Sequence, residues 1–63
     1  MDEQKRKTFT VYLPTGDKFI KADAYRVHYE DDVVVFYNTD GILMVPVAHF
    51  MLHTIYGWSE HNV

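Results

Sequence analysis

Residues 8–13 read T-F-T-V-Y-L, with Phe9, Val11 and Leu13 alternating with Thr8, Thr10 and Tyr12. A period of two built from β-branched and aromatic residues predicts a strand with one buried face. Pro14-Thr15-Gly16-Asp17 follows; proline suits the second position of a turn and glycine supplies positive φ, so a hairpin connection is expected. Residues 18–24 continue extended, with Ile20, Ala22 and Ala24 sharing a face. Residues 25–30 alternate again, Tyr25, Val27 and Tyr29 against Arg26, His28 and Glu30. The small residues Ala22 and Ala24 mark a place where the chain turns a sharp corner. Glu30-Asp31-Asp32 is a polar turn, and residues 33–37, V-V-V-F-Y, form a strand that is apolar on both faces. Asn38-Thr39-Asp40-Gly41 is a second turn built around Asp-Gly. Residues 42–45 are one more strand, ended by Pro46.

The segment from Val47 to Trp58 supports two readings. Val47, Phe50, Met51, Thr54 and Ile55 fit a helical i, i+3, i+4 stripe. The preferred alternative is one helical turn over residues 47–50, then a strand over 51–56, closed by Gly57. The chain is therefore expected to be mostly β, a small antiparallel barrel or curved sheet of four or five strands. A short helical turn or C-terminal helix falls near residues 47–56. The sequence of strand, glycine turn, curved central strands, polar turn, strand, helical turn and last strand resembles the layout of SH3-like and Sm-like barrels. The likeness covers most of the chain and lies in spacing and turn placement only.

Length sharpens this picture. With 63 residues the chain makes one domain and buries only about 60% of its unfolded surface. Its core is thin and calls for support. Cysteine is absent, which removes disulfides and thiolate zinc sites. Aromatic packing and self-association remain, and 16% aromatic residues suit both. The expected organisation is a charged, disordered arm over residues 1–7, a β domain over 8–58 and a flexible tail over 59–63. No apolar run nears the ~20 residues of a membrane helix. Without a leader sequence or cysteine, the expected compartment is the cytoplasm.

The net charge of −3 sets the chain against binding phosphate backbones, which need clustered lysine and arginine. Lys5, Arg6 and Lys7 form the basic cluster, and a solvated arm is the commoner role for such a run. His49 and His53 share a face on a helix or a strand and make an incomplete metal pair. Phe50 stands where a metalloprotease has glutamate, and no third ligand is marked. Metal binding and cofactors are therefore not expected. Glu30, Asp31, Asp32 and Asp40 form an acidic pole but lack the calcium-loop pattern; turns commonly carry such residues. No nucleophile elbow and no glycine-rich phosphate loop is present, so no catalytic residue is expected.

What remains is apolar surface. The strand at 33–37 has more apolar side chains than one sheet face can cover, and exposed patches of that kind mark association. Parity turns Tyr12 away from the core, and Trp58 lies beyond Gly57. The expected function is a non-enzymatic protein-interaction module, a self-associating regulator, inhibitor or assembly subunit of the size that phages and mobile elements encode. Val34, Phe36, Tyr12, Met44 and Trp58 are its expected interface, and its partner is a protein or a further copy of itself. The alternative is an RNA- or single-stranded-DNA-binding barrel whose ring assembly gathers Lys5, Arg6 and Lys7 on one rim.

Overall fold

A computed structural model describes residues 7–61. Within them the strands are β1 (Lys7–Tyr12), β2 (Lys18–Ala22), β3 (Ala24–His28), β4 (Val33–Asp40), β5 (Leu43–Met51) and β6 (Gly57–His61). Single 3-10 turns lie at Tyr29–Asp31 and Leu52–Thr54. The strands make two antiparallel sheets, ordered β2-β1-β6 and β3-β4-β5. Among the described residues no helix is long and apolar enough to cross a membrane.

Strand β1 behaves as its alternation predicts: Phe9 and Val11 point inward and are fully buried. Opposite them, Val34 and Phe36 of β4 are also at 0% exposure, and Ala22 completes the buried core. The Cα thickness of 13 Å fits two sheets about 10 Å apart with one layer of side chains between them. That layer is largely aromatic. Phe9 lies 5.0 Å from Phe36 and 5.6 Å from Tyr25, and Trp58 lies 5.5 Å from Tyr25, ring centroid to ring centroid. Tilted and edge-on pairs of this sort add about 0.5–1.5 kcal/mol each beyond burial.

The chain passes from one sheet to the other at Asp23, between Ala22 and Ala24, where small residues leave room for a bend. The Asp23 amide donates to the Tyr37 carbonyl at 2.8 Å. Its carboxylate accepts from the Thr39 amide at 2.6 Å and from the Thr39 hydroxyl at 2.9 Å. One residue thus fixes both the corner and the stretch of β4 that leaves the core. A second corner is at Asp32, held left-handed at φ 59°. Its carbonyl accepts from the Leu52 amide at 2.8 Å, and its carboxylate is hydrogen-bonded to Nδ1 of His53.

Several expectations need correction. Among the described residues there are six strands, since β2 and β3 separate at Asp23 and a further strand forms at Gly57–His61. The two sheets do not join into a closed barrel. The segment near 47–56 holds no helix: β5 continues to Met51 because Ala48 pairs with Phe36 and Phe50 with Val34. The expected single turn exists but lies at Leu52–Thr54, where the Thr54 hydroxyl donates to the Met51 carbonyl at 2.8 Å. Strand β6 follows it and runs past Trp58 to His61, and Lys7 is already part of β1.

The bend at Asp23 yields a test. Asp23→Ala removes both bonds to Thr39 and lowers stability by about 1–2 kcal/mol, read from the urea midpoint. Exchange of the Thr39 amide quickens in the same variant. An unchanged midpoint with unchanged Thr39 exchange would show that the corner stands without this side chain.

Candidate interaction surface

Strands β4 and β5 have eight and nine residues, whereas β1, β2 and β6 have six, five and five. Among the described residues the sheet β3-β4-β5 therefore extends past the one it packs on. Its last core row is Tyr25–Phe36–Ala48. Beyond it, Asn38 pairs with Val45, Thr39 with Met44 and Asp40 with Leu43, and Gly41 and Ile42 close the loop. Gly41 has φ 66°, the positive value that a tight two-residue hairpin of type II′ needs at its first loop position. At about 3.3 Å per residue this two-stranded arm reaches roughly 10 Å past Tyr37.

The arm is apolar on its β5 side and uncovered. Ile42 is 98% exposed and Leu43 62%, while Met44, Val45 and Val47 are each near 45%. Together these five side chains leave roughly three whole side chains' worth of apolar surface in water, and burying one large apolar side chain is worth about 1.5–3 kcal/mol before association costs. Residues 41–47 carry no charge.

Register assigns the faces. Val34 and Phe36 point into the core, so Asn38 and Asp40 and their partners Val45 and Leu43 continue the inner face. Asn38 Oδ1 is buried there without a hydrogen-bond partner. Thr39, Met44, Tyr37 and Pro46 continue the outer face, which nearer the core carries the row Arg26–Val35–His49. The register slips between Phe36 and Tyr37, leaving Val47 as a β-bulge on β5, and Pro46 beside it has no amide hydrogen. Bulges and prolines of this kind are how edge strands avoid adding a further strand.

The expected site residues fall in different places. Val34 and Phe36 are not surface residues: both are at 0% exposure inside the monomer. The strand at 33–37 is covered inward by β1 and turns Val33, Val35 and Tyr37 outward. Met44 is exposed on the arm. Tyr12 is half-buried on the outer face of the other sheet, its hydroxyl sharing a 2.8 Å hydrogen bond with Ser59, which also lies 3.2 Å from Nε2 of His61. Trp58 is half-buried and its ring belongs to the aromatic layer. The arm therefore joins Met44 to Leu43, Val45 and Val47, whereas Tyr12 and Trp58 lie elsewhere. Val47 was hidden by the helical reading of its segment.

The basic cluster is divided. Lys5 and Arg6 lie outside the described residues, and Lys7 makes a 3.2 Å ion pair with Glu60 of β6. His49 is exposed on β5, and His53 is engaged by Asp32. Among the described residues no three His, Cys, Asp or Glu side chains gather as a metal-holding group. An open hollow of about 320 Å³ is lined by His28, Tyr29, Glu30 and Asp31. These residues are consecutive, so they provide no convergence of groups from separate elements of the kind that builds a reactive centre.

No family model, characterised protein or solved structure matches the chain.

The burial pattern separates two neighbouring positions on β4. Phe36→Asp places a charge in the core and abolishes cooperative thermal unfolding. Val35→Asp, on the outer face, leaves a folded protein with a shift within a few degrees. Similar melting curves for the two variants would contradict the assignment of faces.

Proposed function

We propose that the protein is a non-enzymatic interaction module that associates with copies of itself through the β4–β5 arm. The observation that carries this reading is the exposed apolar side of that arm: Ile42, Leu43, Met44, Val45 and Val47 stand in an uncharged run where water favours polar residues. Soluble monomers seldom leave such a continuous patch uncovered. The thin core gives the same argument from the energetic side. Among the described residues five apolar side chains are fully buried, which is little to hold a domain of this size, and association is a usual remedy.

Strand order and the single 3-10 turn before the last strand favour a layout similar to SH3-like and Sm-like folds, left unclosed. Small domains of that layout commonly act by presenting surfaces, in keeping with a regulator, inhibitor or assembly subunit that we place in the cytoplasm. The pairing of Lys7 with Glu60 draws one cation away from any phosphate-binding rim, which favours a protein partner over nucleic acid.

Light scattering after size exclusion at two concentrations tests the reading. The wild type is expected to have a mass above that of one 7.5 kDa chain at high micromolar concentration. A Leu43→Asp, Met44→Asp double variant puts a carboxylate on each face of the arm. It should run as a folded monomer under the same conditions. A wild type that stays monomeric throughout would remove the support for this function.

A further inference from the structure

We infer that the outer face of the sheet β3-β4-β5, where that sheet lies over the core, is a second docking surface, made for a segment of another protein that carries carboxylates beside apolar side chains. The surface is separate from the arm and does not depend on self-association.

Register sets what this face presents. Val34 and Phe36 of β4 point into the core, so Val33, Val35 and Tyr37 form an apolar spine down the middle of the outer side, each half-buried between its neighbours. Val35 is flanked by Arg26 of β3 and His49 of β5, and Val33 by His28 and Met51. Arg26 and His49 are exposed, and Met51 is 42% exposed. The chain has nine acidic residues, yet none occupies an outward position in the paired register of these three strands. A chain of net charge −3 thus keeps one sheet face free of carboxylates. The acidic groups around it are placed elsewhere. Asp23 holds Thr39, Asp32 is bonded to His53, and Glu30 and Asp31 lie in the 3-10 turn beyond the end of β3. Among the described residues Arg26 has no ion-pair partner.

This composition selects the occupant. Arginine, tyrosine and methionine are enriched where proteins meet, while lysine, aspartate and glutamate are depleted. The spine and its flanks follow that pattern. A guanidinium takes a carboxylate in a two-pronged, charge-assisted hydrogen bond, which Arg26 lacks within its own chain. Beside it, Val33, Val35 and Tyr37 offer apolar contact to alternate side chains of a strand or to one side of a helix. The five residues of the spine span about 16 Å, room for a short segment, and a contact of that size is a transient one. A nucleic-acid strand fits less well, because a phosphate backbone needs clustered lysine and arginine and the outward positions here hold a single arginine.

A library of short random peptides, displayed and panned on the immobilised full chain, tests this. The recovered sequences should combine aspartate or glutamate with leucine, isoleucine, valine or phenylalanine. A recovered peptide should bind Arg26→Glu at least about tenfold more weakly than the wild type, read by calorimetric titration. Circular dichroism checks that the variant is folded; should Arg26→Glu unfold, His49→Glu on the other flank takes its place. Peptides without acidic residues, peptides indifferent to the substitution, or a library that yields no binder would overturn the proposal. So would retention of a labelled polythymidylate strand in place of the peptides, which would give the face to nucleic acid. Light scattering keeps this surface apart from the arm. Arg26→Glu should leave the oligomeric mass of the wild type unchanged, and a drop to monomer would make a second copy the occupant and overturn the proposal. A monomeric wild type rejects self-association alone, since the peptide result is decided independently of it.

Discussion

The rings of Phe9 and Phe36, 5.0 Å apart, are where the two sheets meet, and the positions of the other elements follow from that contact. Phe9 sits on β1, the middle strand of its sheet, and Phe36 on β4, the middle strand of the other. Each ring is flanked along its strand by one further buried residue, Val11 and Val34. Trp58 reaches Phe36 from β6 at 6.5 Å and Phe50 reaches it from β5 at 6.1 Å. With Tyr25 of β3, 6.0 Å from Phe36, five strands thus send an aromatic ring toward one point. Both corners that return the chain to this centre, at Asp23 and Asp32, are held by an aspartate that also binds a distant segment. A core this small relies on its corners, because few apolar contacts remain to hold them in place.

How much of this is readable from the residues differs from strand to strand. In β1 the inner positions are apolar and the outer ones are Thr8, Thr10 and Tyr12, so its phase is plain. In β4 five consecutive apolar residues carry no phase at all, so nothing local separates Val35 from Phe36 as the buried one. What settles it is the opposing strand, which lies outside any local window. The apolar run at residues 42–45 was recognisable as a strand, but its exposure was not, since that depends on what the rest of the fold places over it.

The misplaced turn has a local explanation. The inward residues of β5 are Leu43, Val45, Ala48 and Phe50, and the bulge at Val47 inserts one residue between the second and third. A spacing of two thereby becomes three in the middle of the strand. A spacing of three next to Val47, Phe50 and Met51 imitates a helical stripe, although the backbone stays extended on both sides of the irregularity. The feature that hid the strand from sequence inspection is the same one that guards its edge.

Pairing between β1 and β6 joins opposite ends of the described chain: Thr8 lies across from His61, and Tyr12 bonds Ser59, 47 positions away. The sheet β3-β4-β5, by contrast, is assembled from neighbouring hairpins. Loop closure over so long a separation carries its entropic cost before it gains any contact, which makes it the slow element in folding. During synthesis the hairpins can form before residues 57–61 have emerged, and until then Tyr25 and Phe36 lack the Trp58 ring that packs against both. That edge of the aromatic layer stays open to water until β6 pairs with β1, and the interval for misassociation closes when it does.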